Sequence, residues 1–446
     1  MKRVVSKGRI LFWLTSTFFS RYRKHLLSGF IGGVFIFLLT IKISPLIALL
    51  FPSKQVIGIV GSYTPTTLPL SIQNLISLGL TKTNLMGETL PSLAVSWETK
   101  EEKVYLFRLR EDVFWHDGER FTAQDINYNL KGTEIELLDQ FTIEFRLKEP
   151  FSPLPLLLSQ PIFKKGLIGA GTYEVSRLKL NAGRIGLISL TPTVQNKGLP
   201  KLTFKFYPTE SAAVTAFKLG EVDILQDLSD EYNFSSWKNI EIEKEVLSNQ
   251  IVTIFYNLSS SLLSEKAFRQ ALNFAIPDLD EEKASGPISP NSWAFSEKVK
   301  IYEFNLEKGK ELLKEKDSAT NAANLTLSTF PSFLSLAQKI ANSWEELGVE
   351  TIVRVENTIP EDFEALLTIQ PIPLDPDQYP LWHSTQERTN ISNFRDPKID
   401  KLLEDGRKTF KKEERKLIYA DFQKYLVDEA PAVFLYYPTV YTISRK

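Results

Sequence analysis

The sequence has 446 residues, of which 43% are hydrophobic, and this is more than one compact core usually holds, so two or three lobes are expected. It contains no cysteine, which excludes disulfides, thiolate metal sites, thiol catalysis and a lipid-modified cysteine anchor. The net charge is −1, but residues 1–51 carry eight Lys or Arg and no acid. The remainder is therefore acidic, which disfavours a nucleic acid as partner.

The N-terminal part predicts a membrane anchor. Residues 26–51 form a mostly apolar run, long enough as a helix to cross a hydrocarbon core of about 30 Å. The basic residues within 1–25 place that segment in the cytoplasm and residues 52–446 outside it. The alternative is a cleaved signal peptide, but no small-x-small cleavage site follows the run.

The chain after the anchor alternates between strand and helix patterns. Tyr105, Phe107 and Leu109 alternate with other residues as in a strand with one buried face, and residues 116–119 supply a turn. Thr122 and Asp125 have capping-box spacing and predict the start of a helix. A strand pattern at residues 141–147 follows after a short gap.

Later segments predict an α/β fold. A strand at 202–206, a helix at 210–219 that Gly220 ends, and a strand at 220–224 form one α/β unit. Amphipathic patterns predict four further helices, and a strand is expected after Gly348 at 349–355. The four helices are expected at 306–316, 334–347, 399–408 and 415–427.

Several motifs in these segments resemble the family-5 extracytoplasmic solute-binding proteins, the peptide-binding components of ABC importers. The strongest are GETLPSLAVSW at 87–97 and LFRLREDVFWHDGERFTAQD at 106–125. Weaker matches are GAGTY at 169–173, GEVDI at 220–224 and FRQALNFAI at 268–276. The resemblance implies a two-lobed periplasmic-binding-protein-like fold of type II, the Venus-flytrap, with a trimmed accessory subdomain.

The resemblance also implies domain boundaries. Lobe 1 is expected at 52–256, lobe 2 at 257–427, and a hinge near Tyr256. Residues 428–446 are expected to return to lobe 1, beginning with a strand at 430–435.

The segment LDPDQYPLWHST at 374–385 resembles a family segment that lines the second lobe. This implies ligand binding by four residues, although a structural turn with a buried Trp fits the same pattern. The four are Asp375, Asp377, Tyr379 and Trp382. Peptide-binding members have an acid three residues before this Asp-Pro, which pairs with the free amino terminus of the ligand. Here that position is Ile372, so Asp375 or Asp377 would have to replace it.

Four further residues are candidates for the cleft. Arg395 lies in NISNFRDPKID at 390–400, which resembles a motif of the same family. There it would bind a carboxylate of the ligand or form a surface ion pair with Asp396. Tyr256, Asn257 and Trp293 would form walls of the cleft, with core packing as the alternative for each aromatic ring.

Catalysis and cofactors are not expected. His116 and His383 are isolated from other metal-ligating residues in sequence, and neither a G-x-S-x-G elbow nor a phosphate-binding glycine loop is present. We therefore predict a membrane-anchored extracytoplasmic protein that captures a short peptide between two lobes and delivers it to an ABC permease and its ATPase. The alternative is a surface-anchored sensor or scaffold that does not transport.

Overall fold

The computed structural model describes residues 16–18, 21–25, 27–35, 37–38, 53–196, 198–314 and 323–446. The predicted membrane-spanning segment at 26–51 lies largely outside these residues, since 26, 36 and 39–51 are not described. Within the described ranges, no helix combines the length and the apolar character that crossing a membrane requires.

From residue 53 on, the described residues form eighteen strands and nine α-helices. The strands are β1 Lys54–Val60, β2 Thr81–Thr83, β3 Thr89–Pro91, β4 Ala94–Lys100, β5 Val104–Leu109, β6 Thr133–Asp139, β7 Thr142–Leu147, β8 Tyr173–Asn181, β9 Arg184–Pro192, β10 Lys201–Tyr207, β11 Ile224–Leu228, β12 Ile240–Val246, β13 Gln250–Tyr256, β14 Ala323–Thr329, β15 Val349–Val355, β16 Ala365–Pro371, β17 Ala432–Tyr436 and β18 Thr439–Arg445. The helices are α1 Leu70–Ile76, α2 Leu154–Leu157, α3 Glu210–Lys218, α4 Lys266–Phe274, α5 Leu306–Lys314, α6 Leu334–Leu347, α7 Tyr379–Trp382, α8 Pro397–Lys408 and α9 Lys412–Glu429.

A seven-stranded sheet has the order β12-β18-β11-β1-β10-β9-β8. Its central strand β1 is parallel to both β10 and β11, as expected for an α/β unit. The predicted helix between those two strands is α3, which the Thr209 hydroxyl caps by accepting a hydrogen bond from the Ala212 amide. Gly220 follows with a φ of +77°, so the predicted stop is confirmed.

A four-stranded antiparallel sheet, β4-β5-β7-β6, contains the segment with the strongest motif. The predicted strand is β5, and Tyr105, Phe107 and Leu109 are all buried. The prediction of a helix after the turn that follows β5 is wrong. The capping box of Thr122 and Asp125 forms, but it starts only a 3-10 turn, and Ile126 is already extended. The Tyr128 hydroxyl lies 2.8 Å from the main-chain carbonyls of both Leu158 and Gln160 and donates its single proton to one of them at a time, which ties the extended chain after Asp125 to a distant segment.

A five-stranded sheet, β15-β14-β16-β13-β17, forms the middle layer of the second half of the fold. Its two faces carry separate hydrophobic cores: α4, α5 and α6 pack on one, and α7, α8 and α9 on the other. The predicted helices are all present with small shifts at their ends. Gly348 ends α6 with a φ of +99°, as predicted.

The chain passes between the two large sheets twice. It leaves the seven-stranded sheet between β12 and β13 and returns between β17 and β18, and the Leu247 amide donates to the Pro438 carbonyl where the two passages meet, 2.9 Å apart. The strand expected to return the chain at 430–435 is β17, which instead pairs with β13. The returning strand is β18, which pairs with β11 and β12. Tyr256 lies at the end of β13 that is remote from this passage.

Candidate functional site

The candidate site is built around the segment that leaves β16, residues 372–385, called the cleft loop below. Two successive turns fix its backbone, because each aspartate side chain accepts a main-chain amide two residues later. The Asp375 carboxylate accepts from the Asp377 amide at 2.9 Å, and the Asp377 carboxylate accepts from the Tyr379 amide at 3.1 Å, where α7 begins. The two turns therefore constrain the backbone of residues 375–379.

Asp375 is held by Arg415 of α9. Two guanidinium nitrogens of Arg415 donate to the two carboxylate oxygens, at 3.0 and 2.5 Å, which is the bidentate geometry of strong ion pairs. Both side chains are buried, 8% and 9% exposed. Arg415 also donates to the Gly406 carbonyl at 2.8 Å, so its donors are occupied from two sides.

Asp377 is held by Arg407 of α8. The Nε atom of Arg407 lies 3.0 and 2.9 Å from the two oxygens of Asp377. Burial raises the pKa of Asp377, and the nearby Arg407 charge opposes that shift. The same guanidinium stacks 3.8 Å from the centre of the Tyr379 ring, so Tyr379 and Asp377 share one cation.

The two tryptophans predicted for the site differ in accessibility. Trp382 is buried, its ring packs on Phe255 and Phe434, and its indole nitrogen donates to the Gln378 side chain at 3.2 Å. This is the structural alternative that the sequence left open. Trp293 is partly exposed, and the Arg415 guanidinium lies 5.5 Å from its ring.

The remaining predicted residues lie away from the cleft loop. Tyr256 is fully buried in the core on the opposite face of the five-stranded sheet. Asn257 donates to the Phe363 carbonyl at 2.8 Å and accepts from Asn393 at 3.0 Å. Arg395 is exposed and has no ion pair within the described residues.

Asp396, the partner expected for Arg395, instead caps α8 by accepting from the Lys398 and Ile399 amides. His116, which was expected to brace its turn, has its Nε2 atom 3.1 Å from the Gly171 carbonyl. Whether any of the eight predicted residues binds a ligand stays a prediction.

Ile372, the position at which the resemblance implies an acid in peptide-binding members, is 6% exposed and packs in the core beneath α7, α8 and α9. Its surroundings are apolar, so this position cannot anchor a cation. Asp375 and Asp377, the two replacements that the sequence suggests, each already have an arginine partner.

The C-terminal end of α8 and the start of α9 contact the part of the molecule that carries the four-stranded sheet. Arg407 lies 5.3 Å from the Phe151 ring, and its carbonyl accepts from the Ser152 amide at 2.8 Å. Lys412 forms an ion pair with Glu88. A cavity of about 670 Å³ opens beside Arg407, between the residues 129–133 and 147–157.

Sequence reasoning missed Arg407 and Arg415, which lie 30 and 40 residues from their partners. The one signal was indirect: two aspartates in a proline-containing loop have no cation nearby in sequence. Within the described residues, no group of three or more acidic or histidine side chains is arranged to hold a metal ion.

Comparison with known proteins gives one family. The model of the bacterial extracellular solute-binding proteins, family 5 Middle, matches residues 88–133 and 128–384. The oligopeptide-binding protein AppA of Bacillus subtilis is 23% identical over 444 residues, covering 82% of this chain and 81% of that protein.

Solved structures share the fold. NikZ from Campylobacter jejuni, in complex with Ni(L-His), has a TM-score of 0.73 at 24% identity, covering 88% of this chain and 94% of NikZ. AppA from Bacillus subtilis, in complex with a nonapeptide, has a TM-score of 0.71 at 21% identity, covering 89% and 95%. The α/β architecture is therefore that of the periplasmic-binding-protein-like proteins.

Proposed function

Because this chain belongs to family 5 of the bacterial extracellular solute-binding proteins, we propose that it captures a short peptide between two lobes and delivers it to an ABC permease. A solute-binding protein performs no covalent step, so the chain is not an enzyme. The observation that carries the proposal is the arginine-paired cleft loop, whose Leu374 lines a cavity of about 380 Å³ together with residues between 70 and 83 and between 156 and 160.

The first lobe consists of the seven-stranded and four-stranded sheets with their helices, and the second is built on the five-stranded sheet. The two passages at 247–249 and 437–438 are the natural hinge, because they are the only main-chain links between the two large sheets within the described residues. The ligand stabilises the closed form by the difference between its affinities for the closed and the open states.

The contacts between the lobes include one exposed ion pair and one contact of a cation with an aromatic ring. Lys412 and Glu88 are 50% and 38% exposed, and exposed ion pairs contribute only about 0–1 kcal/mol. The Arg407–Phe151 contact is a cation over a ring at 5.3 Å. Opening would break these contacts together with the 2.8 Å hydrogen bond from the Ser152 amide to the Arg407 carbonyl.

The peptide's amino terminus is not anchored by the cleft loop in this proposal. Both loop aspartates are buried in arginine pairs, and breaking such a pair by removing one partner costs about 3–5 kcal/mol. Backbone hydrogen bonds and apolar contacts at rings such as Trp293 would instead hold the ligand.

We also propose that residues 26–51 anchor the protein, with the lobes outside the cytoplasm. Their apolar run and the basic residues before it support this. Alkaline carbonate extraction of membranes, followed by protease treatment of spheroplasts, tests it. A protein that is released by carbonate would contradict the anchor.

The test of ligand class is mass spectrometry of molecules released on denaturing the full-length protein, purified without added ligand. Recovered peptides support the proposal. A metal bound to a small chelator would move the substrate class toward that of NikZ. An empty protein that peptide pools do not stabilise thermally would favour a surface-anchored sensor or scaffold.

A further inference from the structure

The first lobe meets the proposed anchor at one edge of the seven-stranded sheet. The apolar run ends at residue 51, and β1 begins at Lys54. The Ser53 carbonyl already accepts a hydrogen bond from the Lys201 amide at 2.8 Å, so the chain is tied to the sheet from residue 53 on. Two residues of chain span at most about 7 Å, so this edge of the sheet lies within about 7 Å of the end of the apolar run.

Five neighbouring strands each present one end at this edge, which is called the basal edge below. β1 is parallel to β10 and β11, and β18 runs antiparallel between β11 and β12. The starts of β1, β10, β11 and β12 and the end of β18 therefore lie side by side. The basal edge consists of residues 53–54, 201, 219–223, 237–240 and 445–446.

Four lysines of the basal edge are exposed and form no ion pair within the described residues, namely Lys54, Lys201, Lys238 and Lys446. Lys54 and Lys201 are register partners on β1 and β10, where like charges repel each other. The Lys446 amide donates to the Asn239 carbonyl at 3.1 Å, which brings Lys446 next to Lys238 in space. The basal edge thus carries two pairs of neighbouring lysines.

The acids of the basal edge are mostly engaged within the lobe. The Asp223 carboxylate accepts from the Val56 amide at 2.9 Å, and Glu221 lies 3.8 Å from Lys205. Glu241, one residue inside β12, is exposed and forms no ion pair in the described part of the chain. Four unpaired lysines therefore stand against one unpaired acid.

The opposite edge of the same strands has the opposite charge. Glu210 follows β10, Asp227 lies near the end of β11, and Asp230 and Glu231 follow that strand. The charge of the first lobe therefore changes along its strands, from basic at the anchor to acidic away from it. An anionic surface attracts the basic edge and repels the acidic one.

Two large apolar side chains lie among the lysines of the basal edge. Leu219, between α3 and β11, is 72% exposed, and Trp237, before β12, is 40% exposed. The Trp237 ring packs edge-on against Phe234, which holds it at the surface. Tryptophan is enriched at the membrane–water interface, where its ring lies at the level of the headgroups. Lysines near an anionic leaflet are attracted to its lipids.

We propose that the basal edge lies on the bilayer, with its four lysines against the phosphate groups of anionic lipids and with Leu219 and Trp237 at the level of the headgroups. This orientation rests on the proposed anchor at residues 26–51. The second lobe is attached at the opposite edge, because β12 runs from the basal edge to the hinge. Its length places the hinge about 20 Å from the basal edge.

The test uses single-cysteine variants of the full-length protein, because the sequence contains no cysteine and each new thiol is the only labelling site. Leu219→Cys reports on the basal edge. Leu180→Cys is the matched control, because Leu180 is a 46% exposed leucine of the same sheet that pairs with Ile185, at the end remote from the basal edge.

Each variant carries a fluorescent maleimide and is reconstituted into vesicles of equal parts phosphatidylcholine and phosphatidylglycerol. The vesicles are made with and without a lipid whose headgroup carries a nitroxide, which quenches only nearby fluorophores. We expect the label at Leu219→Cys to lose most of its fluorescence and the label at Leu180→Cys to keep it. Equal quenching of the two labels would refute the orientation.

Flotation of the same vesicles separates the anchor from its orientation. Protein that does not float with the vesicles refutes the anchor and the orientation that rests on it. Protein that floats but has equally quenched labels leaves the anchor in place and refutes the basal edge as the surface on the bilayer.

Charge reversal tests the lysines. In the Leu219→Cys background, Lys201→Glu/Lys238→Glu should reduce the quenching, and so should vesicles of phosphatidylcholine alone. Lys179→Glu/Lys416→Glu is the matched control, because it changes two exposed lysines remote from the basal edge by the same net charge. Circular dichroism melts establish that the variants fold. Quenching that is the same in both double variants would refute the contact of the lysines with the lipids.

Discussion

Replacing Arg415 by methionine should be among the most damaging single changes in the second lobe. The change removes two hydrogen bonds to Asp375 and one to the Gly406 carbonyl, and leaves a carboxylate that is 9% exposed without its cation. Removing one partner of a buried pair costs about 3–5 kcal/mol. We expect the free energy of unfolding to fall by that amount.

The assay is urea unfolding followed by tryptophan fluorescence, for which Trp293 lies 5.5 Å from the mutated group. Arg395→Met is the matched control, because Arg395 is exposed without an ion pair in the described residues, and its loss should change stability by less than about 0.5 kcal/mol.

The double variant Arg415→Met/Asp375→Asn should be less destabilised than the sum of its single changes, since neither charge is then left buried alone. If Arg415→Met lowers the free energy of unfolding no more than Arg395→Met does, the Arg415–Asp375 ion pair does not stabilise the second lobe.

Two further predictions concern the first lobe and the surface. Gly171→Ala should lower the free energy of unfolding by about 2 kcal/mol, because the new Cβ would lie 2.5 Å from a backbone carbonyl oxygen. Gly286→Ala is the control, because its Cβ would meet only the Val427 side chain at an ordinary 3.6 Å. Equal melting temperatures for the two variants would contradict this prediction. Burial opposes ionisation of Asp428, but hydrogen bonds to Lys266 and Lys300 outweigh it and hold the pKa of Asp428 below its usual value. Asp428→Asn should therefore lower stability at pH 7, and the difference should shrink as the pH falls below about 4; a difference that grows on acidification would reverse the assignment.

Local sequence patterns correctly predicted the strands and helices whose buried face or end can be recognised within a short window of sequence. The alternation around Phe107 gave β5, and Gly348 marked the end of α6, because one-sided burial and a positive φ leave clear local signatures. The helix expected after Thr122 stops after one 3-10 turn, and the Tyr128 hydroxyl contacts carbonyls 30 and 32 residues further on, which no window around the capping box contains.

The cleft loop shows the same limit for the site. The sequence identified Asp375, Asp377 and Tyr379 as a group, and the structure brings them together in one loop. It could not identify their arginine partners, because those lie on other helices and the pairing depends on tertiary packing.

The position of β18 has a consequence for biosynthesis. This strand lies between β11 and β12 in the interior of the seven-stranded sheet, although it follows the whole five-stranded sheet in the chain. Until residues 439–445 have emerged from the export channel, β11 and β12 each lack a neighbour and the first lobe stays incomplete. The second lobe has all of its strands by Tyr436 and can therefore mature earlier, so translocation would deliver the two lobes in the reverse of the order in which their synthesis begins.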